Sequence, residues 1–363
     1  MGLSLAFELA RRSHQVTLID RSQFGRKASW AGAGVLLPAD FGTATHPIEQ
    51  LEAISNDVHA LWAKELLELT NIDNGYRESG GLYVARSPGE VASLIGSVGY
   101  WQERNIPIDF LEAEEVRAKY PEISTGLVGD KFFRAAYTTN ESQICNPWHI
   151  ESLVAACKSL NVQLLPDTEL LRVAENSGGV GLQIESGQLE VDVAVWACGA
   201  WTQQAVVGAM TQEAPRMVPV RGQMLLYRLE EKLDLPIINK GNRYIVPRDD
   251  GHVLVGATIE EVGFDESTTE QALDQLASDA REIVPALAPD RLVKSWSGLR
   301  PGTFDSFPYM GKLPGCEKVY VSSGHFKTGL QLSTGAARVM SDLIESKTPE
   351  VDMTPFDPSR VLV

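Results

Sequence analysis

Two short stretches in the last quarter of the chain hold the residue types best suited to chemistry. Trp296-Ser-Gly-Leu-Arg300-Pro-Gly carries one arginine among glycines and a proline, and Ser323-Gly-His-Phe-Lys-Thr-Gly-Leu330 is bounded by glycines. A guanidinium fixed on a turn binds a carboxylate through two parallel hydrogen bonds, so Arg300 is a candidate carboxylate clamp. The second stretch follows a strand-like run, Lys318 to Ser323. It opens a helix whose apolar residues Leu330, Ala336, Ala337, Met340, Leu343 and Ile344 share one face. Such a turn aims free backbone amides and the positive dipole end at one spot. That spot suits a phosphate, or a ring that gains negative charge during reaction. The plainer reading, an ordinary βα turn and a surface arginine, fits these two segments equally well.

The elements that must position these groups begin at the N-terminal end. Gly2 to Arg11 reads as a helix, with Leu5, Ala6, Leu9 and Ala10 on one face, and His14 to Asp20 as a buried strand ending in a carboxylate. This is the second half of a dinucleotide-binding βαβ unit, where the acid meets a ribose about 20 residues after the glycines. Asp20 stands 18 residues after Gly2, which puts Gly2 in the place of the third glycine of G-x-G-x-x-G. The first strand and first two glycines of such a unit do not precede it. A lost interior strand leaves unpaired ladders, so the expectation is a start assigned too late or a shortened chain. Helix followed by strand and Asp also occurs in α/β proteins generally. Next, Ala28, Ser29, Ala31, Gly32, Ala33 and Gly34 let backbone approach a bulky ligand closely. The apolar exit Val35-Leu36-Leu37 argues for a buried segment rather than a surface loop.

Helical spacing marks residues 47–70, Pro88 to Trp101 and Leu111 to Tyr120, with a strand at Gly80 to Ala85. Asn146-Pro147 reads as an N-cap with proline at the first helical position. Strands are expected at Val162 to Leu165, Thr168 to Ala174 and Leu189 to Cys198. Further on, Arg243 to Arg248 and His252 to Ile259 alternate around Asp249-Asp250-Gly251 and predict a hairpin. A helix follows from Thr268 to Ile283. The architecture expected is two interleaved domains. One is α/β and nucleotide-binding, in three pieces (1–77, 146–217 and 295–363); the other is an antiparallel sheet with helices, in two (78–145 and 218–294).

Composition bounds the function. The 363 residues suffice for two domains and a large core. A formal charge of −16 opposes nucleic acid and anionic membranes as partners. It does not oppose a small anionic substrate, because one cation can dominate one pocket. Cys145, Cys157, Cys198 and Cys316 form no C-x-x-C pair, so neither zinc nor a redox dithiol is signalled, and no metal is expected. No apolar run nears the roughly 18 residues of a membrane span, and no signal peptide shows. The expectation is a cytoplasmic protein, with homo-oligomerisation left open.

Taken together, Tyr244-Ile-Val-Pro-Arg248, Val255-Gly-Ala-Thr258, Gly298-Leu-Arg-Pro-Gly-Thr303 with Pro308-Tyr309, and Gly324-His-Phe-Lys-Thr-Gly329 resemble the D-amino-acid oxidase superfamily of FAD enzymes. Within it the chain looks most like the glycine oxidases linked to thiazole synthesis for thiamine. The resemblance runs over nearly the whole chain, in order. It implies non-covalent FAD, with Gly2, Asp20 and Arg21 at the adenosine end and Val173 at the adenine. It puts Ala28, Ser29, Ala33, Gly34 and Val35 along pyrophosphate and flavin, and His325, Phe326, Lys327, Thr328, Gly329, Leu330 and Gln331 around the flavin's pyrimidine edge. Arg300 would hold the substrate carboxylate with the Tyr244 hydroxyl, and Pro38 and Ile259 would shape a small side-chain pocket. Lys327 stands where relatives commonly carry arginine, so it keeps the charge without the fork. The activity implied is oxidative deamination of glycine or a similar small amino acid, with O2 reoxidising the flavin to give H2O2. Two alternatives stay open: a sarcosine-oxidase-like or D-amino-acid-dehydrogenase-like flavoenzyme, and a non-catalytic scaffold without flavin.

Overall fold

The computed structural model describes residues 1–124, 134–210 and 214–361; the expected domain pieces that include 125–133, 211–213 and 362–363 lie partly outside them. The helix Gly2–Arg11 forms where its apolar face predicts, burying Leu3, Leu5, Ala6 and Phe7. It packs with Pro47–Thr70, Asn146–Ser159 and Ser333–Ile344 around one core that includes Phe7, Leu51, Trp62, Leu153 and Met340. Arg12 ties the first helix to the last through Asp342 at 2.6 Å and Glu345 at 2.8 Å. Beside these helices run two short sets of strands. Thr17–Ile19 pairs in parallel with Gln163–Leu165, and Ala194–Trp196 pairs in parallel with Val319–Ser323, which also takes Tyr309–Lys312 antiparallel.

A larger sheet of eight strands positions the site. Its order runs from Leu292–Gly302 through Val218–Arg228, His252–Gly256, Arg243–Pro247, Ile237–Lys240, Gly81–Ala85 and Arg134–Thr138 to Asp109–Leu111. Every neighbouring pair is antiparallel except Ile237–Lys240 with Gly81–Ala85. The predicted hairpin is present, with Gly251 in the left-handed region at φ 84°. Side chains alternate between faces. The back face carries Leu225, Ile238, Ile245 and Val255 under Leu276, Ala280 and Ile283 of the helix Glu270–Ile283. The front face carries Met224, Tyr244, Val246, Leu254 and Trp296, packed against Ala33 and Val35. Further along the same face, Tyr83, Ala85 and Ala136 lie under the helix Pro88–Glu103.

Four local expectations are corrected. Arg300 is not in a turn but on the eleven-residue strand Leu292–Gly302, opposite Val220. Gly298 lies on that strand because Ala31 packs where its side chain would stand, and Pro301 faces Pro219 near the strand end. Asn146 is not a cap: Cys145 holds that position, and the Asn146 Nδ2 donates to the Ser29 carbonyl at 2.6 Å. Residues 189–198 form two strands, Gly187–Val191 and Ala194–Trp196, rather than one. The glycine-bounded turn leads into a single 3-10 turn, Phe326–Thr328, and the helix begins only at Ser333.

Candidate active site

One transverse row crosses the front face. Register pairs Trp296 with Met224, Met224 with Gly256, Gly256 with Tyr244, Tyr244 with Asn239, and Asn239 with Tyr83. Arg300 lies four residues along the strand from Trp296, on the same face, and its guanidinium is laid over Gly222, where any Cβ would overlap Nη1, Nη2 and Cζ. Its Nη1 donates to the carbonyls of Thr258 at 3.0 Å and Arg221 at 3.3 Å. Those bonds fix the fork, and the guanidinium also hydrogen-bonds Tyr244. The Tyr244 hydroxyl donates to the Met224 Sδ at 3.3 Å. Burial raises its pKa, while the charge and hydrogen bond of Arg300 pull it down. Lys327 also faces this place. Partial burial, then the nearby Arg300 cation, lowers its pKa, and its Nζ lies 3.5 Å from the Asn242 Oδ1. Arg300, Tyr244 and Lys327, far apart in sequence, therefore come together.

The pocket residues divide. Pro38 is buried, next to Leu37, whose carbonyl accepts from Asn56 at 2.7 Å and Gln331 at 2.9 Å. This sets Pro38 beside the 325–331 turn. Ile259 follows Thr258 but is 42% exposed, and it lines a cavity of about 500 Å³ that also takes in Asn242, Arg243 and Asp279. Arg300, Lys327 and Pro38 do not line that cavity.

Residues 28–35 are clamped by their carbonyls. Asn146 reaches Ser29, Trp296 Nε1 reaches Ala31 at 3.0 Å, and Arg248 Nη2 reaches Ala33 at 2.6 Å. Ala28 and Ser29 belong to the four-residue helix Ala28–Ala31, and Val35 pairs with Gln143. Gly34 is buried at φ 75°, with the Ile144 carbonyl where a side chain would be. At the other end, Gly2 opens the first helix close to Leu18 and Ala197. The Asp20 Oδ1 accepts from the Ser22 amide at 2.9 Å and hydroxyl at 3.0 Å, leaving Oδ2. The Arg21 guanidinium lies 5.2 Å from the Trp201 ring. Val173 sits on the outer strand of a separate three-stranded sheet, side chain in the core and one backbone edge unpaired in that sheet.

In the 325–331 turn, Thr328, Leu332 and Ser333 donate to carbonyls within the turn. The amides of Gly329, Leu330 and Gln331 have no acceptor among the described residues. His59, fully buried, donates its Nε2 toward the Leu330 and Gln331 carbonyls, 3.0 Å each, and so holds the turn from behind. Burial lowers His59 to about 4 and His325 to about 3. Both imidazoles are neutral at physiological pH, and His325 is a poor proton acceptor there. Buried polar atoms without partners among the described residues include Asn146 Oδ1, His149 Nε2, His325 Nε2 and Ser333 Oγ. Buried polar groups are normally paired. This set, with the free amides, fits a large polar ring system better than an apolar core.

Sequence reasoning missed Gly222, Asn239, Glu141 and His59. The parity of the hairpin places Tyr244 and Gly256 on one face, and the same alternation marks Gly222 as the gap that Arg300 fills. Asn239 follows from the local pairing with Tyr244, whereas Glu141 and His59 depend on contacts between segments distant in sequence.

The family model for FAD-dependent oxidoreductases matches residues 1–343. The chain is 32% identical over 363 residues to a glycine oxidase of Pseudomonas aeruginosa, covering 99% of this chain and 96% of that protein. It is 28% identical over 371 residues to the bifunctional protein ThiO/ThiG of Synechocystis, covering 100% of this chain and 53% of that protein. Among solved structures, the glycine oxidase of Geobacillus kaustophilus matches with a TM-score of 0.90 at 28% identity, over 99% of this chain and 95% of that one.

Proposed function

This chain belongs to the FAD-dependent oxidoreductase family, and we propose that it oxidises glycine or a similarly small amino acid, with O2 as the final electron acceptor. The observation that carries this reading is the Arg300–Tyr244 pair on the sheet's front face, beside the 325–331 turn. Non-covalent FAD, held along residues 28–35 and by the 325–331 turn, would supply the redox chemistry that takes two electrons from the substrate and hands them to O2. Arg300 grips the substrate carboxylate with donors that the Thr258 and Arg221 carbonyls hold in place. The Tyr244 hydroxyl, turned from the Met224 sulfur, donates its one O–H to the same carboxylate. Fixing one end of a two-carbon substrate fixes the direction of its Cα–H, and orientation of this kind removes much of a barrier. The amides of Gly329 to Gln331, without acceptors among the described residues, would offer donors to the electron-rich edge of the bound cofactor. No side chain has to abstract the Cα proton: the substrate enters with its amine deprotonated, its proton given to solvent, and loss of hydride leaves an iminium that water hydrolyses to the oxo acid and ammonium. We assign residues 1–77, 146–217 and 295–363 to the cofactor side and 78–145 and 218–294 to the substrate side. Similarity to ThiO/ThiG supports a place in thiazole synthesis for thiamine; no helix among the described residues is long and apolar enough to cross a membrane.

The test is a panel of glycine, sarcosine, D-alanine and D-phenylalanine with the purified, FAD-supplemented protein, read by peroxide formation and by flavin bleaching without oxygen. Peroxide with glycine supports the proposal. Bleaching without peroxide would make the protein a dehydrogenase. A flavin-loaded protein that no amino acid bleaches would refute the reading.

A further inference from the structure

The groups so far assigned to the substrate are mainly donors: the Arg300 fork, the Lys327 ammonium and the amides of the turn. An amino acid, however, brings a nitrogen with its own N–H groups. Moved out of water without acceptors, those groups are costly to leave unpaired.

The front-face row supplies an acceptor next to Tyr244. Asn239 is its cross-strand partner, and directly opposed residues on one face stand close enough to touch one ligand. The Asn239 Nδ2 donates to Glu141, 3.0 Å from Oε1 and 3.3 Å from Oε2. With its NH2 turned to the carboxylate, the amide must present Oδ1 elsewhere, and Oδ1 accepts nothing from the described residues. Glu141 is fully buried, and its carboxyl lies over Gly81, where any side chain would overlap it. Its Oε2 accepts from the Tyr83 hydroxyl. Asn239 and Tyr83 are themselves register partners. The row therefore reads Tyr83, Asn239, Tyr244 across three strands, with Glu141 reaching over from the segment after Arg134–Thr138 to lock the first two. No part of the carboxylate-binding account uses this buried acid.

We infer that Asn239, oriented by Glu141, accepts a hydrogen bond from the substrate's amino group, which makes Asn239 a substrate-binding residue and Glu141 its positioning residue. The inference rests on the amino-acid reading above. It explains why a buried acid is kept one strand away from a site built around cations. It also explains why Gly81 is a glycine, since its missing side chain is the carboxyl's space.

The experiment separates the two ends of the substrate. Acetate carries the carboxylate without the amine. Both ligands are titrated against the FAD-loaded enzyme, glycine by KM and by anaerobic flavin absorbance, acetate by competitive inhibition. Asn239→Leu should weaken glycine about tenfold or more and leave acetate within about twofold, with flavin content unchanged. Measured above pH 7, where Glu141 is ionised, Glu141→Gln should act the same way through orientation. The new amide keeps the bond from Tyr83 through its oxygen and turns its NH2 to Asn239. Asn239 then flips and offers a donor where the amine needs an acceptor. Equal weakening of glycine and acetate in both variants, or no weakening of glycine in either, would overturn the inference. Should Asn239→Leu fail to fold, Glu141→Gln decides the matter alone. A wild type that turns over no amino acid would defeat the functional reading. The acetate and glycine absorbance titrations would still score the acceptor by itself.

Discussion

Gly222→Ala is the smallest change that should separate fold from function here. A Cβ on Gly222 would fall well inside contact distance of three guanidinium atoms of Arg300. Ordinary contact at roughly 3.5 Å is restored by moving the guanidinium about 1 Å. The clash is with the far end of a flexible side chain, so the fold can absorb it, and Gly222 has no left-handed φ for alanine to strain. Stability should change by less than about 1 kcal/mol. The clamp cannot absorb the shift. Nη1 sits 3.0 Å from the Thr258 carbonyl and 3.3 Å from the Arg221 carbonyl, and a displacement near 1 Å breaks or bends both. Misplacing a substrate-positioning group by this much costs on the order of a hundredfold in rate, or about 2.7 kcal/mol. The assay is kcat/KM for glycine alongside flavin content and melting temperature, in the wild type, Gly222→Ala, Arg300→Ala and the double variant. If the alanine acts through Arg300, it should cost almost nothing more once Arg300 is gone. Additive losses, or a Gly222→Ala enzyme of near wild-type turnover, would refute the reasoning.

Arg300→Ala should lose on the order of a hundredfold in kcat/KM, about 3 kcal/mol, while keeping flavin. Arg300→Lys should recover only part of it, because a point charge does not reproduce the fork; full recovery by lysine, measured in the peroxide assay, would contradict this. Glycine, sarcosine or D-alanine should outrun D-phenylalanine, given the buried Pro38 beside the turn, and faster oxidation of D-phenylalanine would exclude a small pocket. Burial raises Glu141 from its ordinary 4.5 to about 7, and the polar groups facing it are the Tyr83 hydroxyl and the Asn239 amide. Between those pH values the folded state keeps a proton that the unfolded state has lost, so this group's contribution to stability falls as pH rises through the window. Glu141→Gln should therefore gain on the wild type from pH 4.5 to 7, by on the order of 3 kcal/mol, and level off above. Parallel stability curves from chemical denaturation would show that the carboxyl is not held protonated.

Local signals in the sequence carried much of the fold. The Gly2–Arg11 helix, the Pro47–Thr70 helix and the hairpin at Gly251 follow from periodicity and turn chemistry within a few residues. The Arg300 segment shows where that logic stops. Two glycines and a proline among seven residues read as a turn because their usual causes are backbone freedom and a missing donor. Here Gly298 is small for a different reason: Ala31, some 270 positions earlier, occupies its side-chain space. Composition records that a glycine is needed and not why. Asn146 failed the same way, since its side chain is spent on the distant Ser29 carbonyl rather than on its own helix.

The candidate site was legible in its charges and not in the spaces that receive them. Arg300 and Tyr244 stand out by type. Gly222, Gly256 and Gly81 acquire meaning only once register shows that the Arg300 guanidinium, the Met224 sulfur with the Tyr244 ring, and the Glu141 carboxyl lie over them. In each case a long side chain is laid flat on the sheet over a residue that has none. A sheet face is rigid, and flattening these groups onto it trades their rotamer freedom for fixed position, which a carboxylate clamp needs and a loop would not supply. Glu141 and Asn239 were hidden for a further reason. Their link runs through the one parallel pairing in the large sheet, Ile237–Lys240 with Gly81–Ala85, and no hairpin turn announces such a pairing. A polar residue paired to the candidate tyrosine was thus within reach of sequence reasoning from the neighbouring strand, but the buried acid that orients it was not.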